Sequence, residues 1–221
     1  MTQATREGSP ATTTVVPGIF ACLLRGVSHS YGSQVVVHPI DLDLAKGSLL
    51  VVRGANGSGK STLLRIICGL LRPTTGERRS DATALLLASG DGARRRDRVE
   101  DALRTVAAIS AGEIRGGVES VLVGVGLPPS IARRRVAELS SGQRDRLTLA
   151  VAEVSGADLV CLDEPSAHMD AGGAQIVAQS VRRLRERGCT VVVATHDPGL
   201  DSLPADTALT LDEGRVVRVV P

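Results

Sequence analysis

An α/β fold around a mixed sheet is predicted by three features of the 221-residue chain. Apolar runs of strand length alternate with helical stretches free of breakers. Period-two alternation dominates the region before residue 52, and a glycine-rich loop stands between a strand and a helix at residues 48–68.

The elements follow in order. Cys22, Leu24 and Val27, then Val35 to Val37, then Ile40, Leu42 and Leu44 mark an antiparallel β section, closed by Lys46-Gly47. Ser48 to Val52 is a short apolar strand, and Ser61 to Cys68 reads as the helix after the loop. Thr83 to Ala88 is another strand. Helical stretches at Val99 to Ala108, Val118 to Val125 and Ser130 to Leu139, broken by Ala111-Gly112 and Leu127-Pro128-Pro129, form a short helical subdomain at about residues 93–140. A helix from Gly142 to Val154 precedes the strand Asp158 to Leu162. The helix Gly172 to Glu186 and the strand Cys189 to Ala194 then complete a parallel βαβ unit. Asp206 to Leu211 and Val216 to Val220 make a terminal hairpin.

Gly54-Ala55-Asn56-Gly57-Ser58-Gly59-Lys60-Ser61 fits G-x-x-x-x-G-K-[ST] in the strand, loop, helix order that the mechanism requires, and Thr62 continues it. Glycines let successive N–H groups turn inward and form an anion cradle at the positive end of the helix. Lys60 adds a mobile charge for the β- and γ-phosphates, and the Ser61 hydroxyl suits Mg²⁺. The fold class is therefore a P-loop NTPase core, and ATP with Mg²⁺ is the expected ligand. The strand 158–162 ends in Asp163 and Glu164: Asp163 suits a metal ligand, and Glu164 can orient a water for in-line attack on the γ-phosphate.

With Leu139-Ser140-Ser141-Gly142-Gln143 between these motifs, and His196 after a further strand, the chain from about Ile19 to Pro221 resembles the ATP-binding-cassette (ABC) ATPases. Ser140, Gly142 and Gln143 stand at the positions of that family's L-S-G-G-Q signature, while Ser141 replaces a glycine. The resemblance implies that the signature of one subunit closes over the nucleotide of the other, in a homodimer or a heterodimer. It implies that Asp170 contacts the opposing subunit, that His196 hydrogen-bonds the γ-phosphate and that Tyr31 stacks on adenine. The transport role it implies needs a transmembrane permease on a separate chain, with this one peripheral on the cytoplasmic face. An alternative from the same superfamily is a soluble ATPase acting on nucleic acid, ribosomes or an assembly machine. Tandem cassettes, a coiled coil or zinc cysteines would mark it, and the chain shows none of these. A third reading, a small-molecule kinase, fits poorly with the signature and with Glu164 beside Asp163.

One departure concerns the glutamine that the family places after the strand 83–88. No glutamine occurs between Gln34 and Gln143, and Ser89-Gly90-Asp91-Gly92 occupies the place. A Ser89 or Asp91 oxygen is the candidate substitute toward Mg²⁺.

Composition sets the remaining expectations. A hydrophobic content of 43% excludes bulk disorder and suits one domain, about 18–221. The Thr-rich residues 1–17 read as a flexible tail without the apolar block of a signal peptide. A net charge of +2 gives little pull toward nucleic acid, and no direct contact with it is expected. Arg94-Arg95-Arg96 and Arg133-Arg134-Arg135 read as solvated helix faces. Cys22, Cys68, Cys161 and Cys189 lack paired spacing and read as small buried hydrophobes in a reducing compartment.

Overall fold

The computed structural model describes residues 19–170 and 172–220. The expected tail, 1–17, lies outside them.

Two sheets build the molecule. A six-stranded sheet has the order β5-β6-β7-β3-β8-β9, formed by β3 (Leu49–Arg53), β5 (Ala84–Ala88), β6 (Leu159–Asp163), β7 (Thr190–Thr195), β8 (Thr207–Asp212) and β9 (Arg215–Val220). Its pairings are parallel except that of β8 with β9, so the sheet is mixed as the sequence predicts. The second sheet, β2-β1-β4, is antiparallel, with β1 (Phe20–Tyr31), β2 (Gln34–Ala45) and β4 (Thr75–Arg79). The helices are α1 (Lys60–Ile67), α2 (Val99–Ile109), α3 (Gly117–Gly124), α4 (Ser141–Val154) and α5 (Gly173–Glu186).

Alternation along the strands assigns side chains to two cores. Leu50, Val52, Cys161, Val192 and Ala194 face α1 and the antiparallel sheet. Leu49, Val51, Val160, Leu162, Val191 and Val193 face the packing of α2 to α5. A parallel sheet covered on both faces demands apolar residues at consecutive positions, and β3 and β7 supply them. The four cysteines are buried and unpaired. Burial pushes the Cys161 thiol well above its ordinary value, and the Cys22 and Cys189 thiols up to about 11. Among the described residues, no helix is long and apolar enough to cross a membrane.

One strand was not expected, and two expectations need correction. Strand β4 escapes the pattern because Thr75-Gly76-Glu77-Arg78-Arg79 is polar and largely exposed; it is an edge strand held to β1 by its backbone. The stretch 130–139 is not one helix but two 3₁₀ turns, Pro129–Arg133 and Val136–Glu138, with extended backbone at Arg134 and Arg135. That backbone pairs with the chain entering α2: Val99 N–H donates to Arg134 O (3.0 Å) and Val136 N–H to Asp97 O (3.0 Å). Consequently the arginine runs do not lie on α-helix faces; an antiparallel bridge of Arg98 with Arg135 brings them together.

Candidate functional site

The carboxyl ends of β3, β6 and β7 lie side by side, and each carries one of the expected groups. After β3 the chain turns through Gly54, Gly57 and Gly59, all at positive φ. A β-carbon at Gly54 would sit 2.4 Å from the Leu211 carbonyl oxygen, and one at Gly59 would sit 2.6 Å from that of Val36, so neither position admits a side chain. The loop is backed by the β8–β9 turn, whose Gly214 N–H donates to Ser58 O (3.0 Å). Ala55 O accepts from Ser58 N–H (3.2 Å), and Gly59 O accepts from Leu63 N–H (2.9 Å), which starts α1 with Ser61 and Thr62 in its first turn. Asn56 lies on the exposed rim of the loop, while the Ser58 hydroxyl is buried without a partner.

Lys60 is 5% exposed. Its Nζ donates to the carbonyls of Gly54 (2.8 Å) and Ala55 (3.1 Å), and stands 3.1 Å from Glu164 Oε1. The last contact is an ion pair by distance alone, because Oε1 receives no directed hydrogen bond. Glu164 Oε2 lies 2.9 Å from His196 Nδ1 and accepts from the His196 backbone N–H (3.3 Å). Beside it, Asp163 Oδ1 is buried with no hydrogen-bond partner among the described residues. A buried, unpartnered carboxylate oxygen is costly unless something cationic meets it, which fits a metal ligand.

The structure thus brings Lys60, Glu164 and His196 into one chain of contacts. Sequence reasoning missed a further tie. The Ser166 hydroxyl donates to Asp197 Oδ2 (2.7 Å), joining the loop after β6 to the loop after β7. That bond, with a second from Gly199 N–H, holds the Asp197 carboxyl below its usual range.

The signature residues form a separate patch. Ser140 caps α4: its hydroxyl accepts from Gln143 N–H (3.2 Å), and Gln143 Oε1 accepts from Ser140 N–H (3.0 Å). Gly142 packs against the loop after β6, where a β-carbon would meet His168 O at 2.8 Å. Ser140, Ser141, Gly142 and Gln143 line a groove together with His168, Met169 and Asp170. Among the described residues no hydrogen bond or ion pair joins Ser140 to the phosphate loop, and Asp170 pairs within the chain with Arg146 (3.0 Å). Tyr31 is half exposed at the β1–β2 hairpin, its ring edge-on to His29 at 4.7 Å.

Ser89 is engaged elsewhere than expected. Its hydroxyl donates to Asp145 Oδ1 (2.7 Å) and lies 2.9 Å from His168 Nδ1. The Asp91 carbonyl accepts from the Thr148 hydroxyl (2.8 Å), which anchors the rest of that loop to α4.

Comparison with known proteins fits this geometry. A family described as ABC transporter matches residues 37–167. The chain is 32% identical to an aliphatic sulfonates import ATP-binding protein, SsuB 1, of Rhizobium johnstonii, over 98% of the chain and 82% of that protein. It is 33% identical to a macrolide export ATP-binding/permease protein, MacB 1/2, of Paracoccus denitrificans, over 88% of the chain but only 32% of that longer protein. The chain therefore spans about a third of the latter relative. Among solved structures, the dimeric bacterial ABC transporter cassette MJ0796 superposes with a TM-score of 0.77 at 23% identity, covering 90% of this chain and 97% of that one. This likeness concerns the fold.

Proposed function

The chain belongs to the ABC transporter family, and from that premise we propose that it is the ATPase subunit of a transporter, binding ATP at the 54–62 loop and hydrolysing it at Glu164. One observation carries the reading: Lys60, at the start of α1, and Glu164 and His196, just beyond β6 and β7, meet at 3.1 and 2.9 Å. Residues 18–221 form the cassette, with about 93–140 as its helical arm.

In this reading the backbone N–H groups of Gly54, Ala55, Asn56, Gly57, Ser58 and Gly59 cradle the phosphates, and Thr62 closes the cradle at the start of α1. Lys60 Nζ exchanges its loop carbonyls for phosphate oxygens. Glu164 orients the attacking water, and His196 fixes the Glu164 carboxylate while its other ring nitrogen is available to the γ-phosphate. Ser61 and Asp163 would hold Mg²⁺, which would supply positive charge to neutralise the phosphates; the orphaned Asp163 Oδ1 supports that role. Tyr31 offers its half-exposed ring to adenine.

Among the described residues Ser140 has no hydrogen-bond or ion-pair partner at the phosphate loop of its own chain, which supports a role across a dimer. Ser140, Ser141, Gly142 and Gln143 would cap the nucleotide of a second cassette, identical or related. Hydrolysis then removes γ-phosphate contacts that hold the pair closed, and the closed population falls. A separate transmembrane permease would use that motion, with this chain peripheral on the cytoplasmic face.

Phosphate release from MgATP by the purified chain, with no acceptor substrate present, tests the reading. Steady release is expected. Release that appears only when a small-molecule acceptor is added would instead make the protein a kinase.

A further inference from the structure

Asp145 is a charged side chain only 1% exposed, lying one turn into α4. A carboxylate taken out of water needs donors, and three reach it. Ser89, after β5, donates its hydroxyl to Oδ1 (2.7 Å). His168, after β6, gives Oδ2 both its backbone N–H (3.0 Å) and its ring Nδ1 (3.1 Å). The distances form a consistent set with the proton on His168 Nδ1, shared between Asp145 Oδ2 and Ser89 Oγ at 2.9 Å. One ring nitrogen serves both partners, so the imidazole cannot take the serine proton on one nitrogen while the carboxylate holds the other, as a nucleophilic triad requires. Its chemistry is that of a clamp.

Two neighbouring contacts tighten the same seam. Gly142 lies against His168 O, so closely that a β-carbon would stand 2.8 Å away, and Arg146 pairs with Asp170 at 3.0 Å while donating to Gly126 O (3.0 Å). Hence α4 grips residues 168–170 at 142, 145 and 146, and Asp145 extends the grip to Ser89 itself, while Thr148 holds the same loop at the Asp91 carbonyl (2.8 Å).

We propose that Asp145 is a positioning residue: through Ser89 and His168 it joins the loop after β5, the start of α4 and the loop after Glu164 into one rigid unit. Resting on the dimer reading above, this unit presents Ser140 and Asp170 together and transmits displacements of the Ser89 loop to both. It also explains how a chain without a glutamine at that loop ties the loop to its surroundings.

The test is hydrogen exchange on the nucleotide-free chain with Asp145→Asn, which keeps the shape but turns an NH₂ toward the His168 N–H. Amides of 141–144 and 169–170 are expected to exchange about tenfold faster, as for the loss of a hydrogen bond to a charged group, with residues 57–63 unchanged. Acceleration confined to His168, or spread evenly over the chain, overturns the proposal. Ser89→Ala, a milder change in a loop, should show the same pattern at reduced size, and decides the matter should Asp145→Asn not fold. In turnover, kcat for Asp145→Asn should fall about tenfold with KM for ATP within about twofold of the parent, whereas a matching rise in KM would contradict a positioning role. Because the exchange is read without nucleotide, a clamp that is present in a chain that fails to dimerise would sink the dimer reading and leave the clamp standing.

Discussion

Glu164 holds a left-handed backbone, φ +52°, which costs a residue with a β-carbon about 1–3 kcal/mol. Its N–H donates to Ala194 O (2.9 Å), and the turn sets its carboxylate between Lys60 and His196. Strain at this residue therefore coincides with the proposed point of water activation. Lys60 carries the complementary prediction. Lys60→Ala removes the one ammonium at the loop and should weaken ATP binding by about 10- to 100-fold, as for a lost charge-assisted hydrogen bond, measured by titration calorimetry. Unaltered affinity would contradict the loop assignment. These residues were legible in the sequence because local chemistry dictates them: only glycine tolerates the turns at 54 and 59, and paired acids after an apolar strand are distinctive. Asp145 with His168, and Ser166 with Asp197, were not legible. Their partners lie 23 and 31 residues apart, and no local pattern announces a contact made by folding.

Elements with a clear apolar period were read correctly, and elements without one, placed by pairing with distant segments, were not. The β6-α5-β7 unit and the β8–β9 hairpin follow from apolar alternation and from Glu213-Gly214, both at positive φ in the hairpin turn. Strand β4 is polar, and the stretch around Arg134 sets buried Ile131 and Val136 on either side of three arginines in a spacing that suits a helix; in both, N–H and C=O groups find partners far along the chain, which local sequence does not announce. The start of the β5–β6 pair offers a test at this scale. The Thr83 hydroxyl, and after it the Thr83 N–H, donate to Asp158 and hold its carboxyl below the ordinary carboxylate value. A depressed folded pKa stabilises the fold above the unfolded value of about 4, and the contribution is lost as pH falls through the folded pKa. Thr83→Val should therefore destabilise by about a few tenths of a kcal/mol at neutral pH, the group being mostly exposed. That deficit should shrink below about pH 4 in parallel urea titrations. A deficit independent of pH would mean that the hydroxyl acts through packing or through the bond it accepts from the Asp158 N–H (3.2 Å), and not through the carboxylate.

At the scale of the molecule, the sheet divides two cores and brings its strand ends to one edge, where the phosphate loop and Glu164 stand, while α4 carries Ser140 on a patch of its own. The proposed catalytic edge and the proposed capping patch, separate on one chain, make sense when two copies, or two related chains, face each other. The fold class followed from the sequence because period and loop chemistry agree along most of the chain. The pairing of chains rests on the resemblance and on the separation of the two patches. The most direct measurement is gel filtration with light scattering of Glu164→Gln in MgATP, with MgADP as control. A dimer in ATP that reverts to monomer in ADP is expected, with phosphate release nearly abolished. A monomer in both nucleotides, or a Glu164→Gln chain that turns over ATP like the parent, would contradict it.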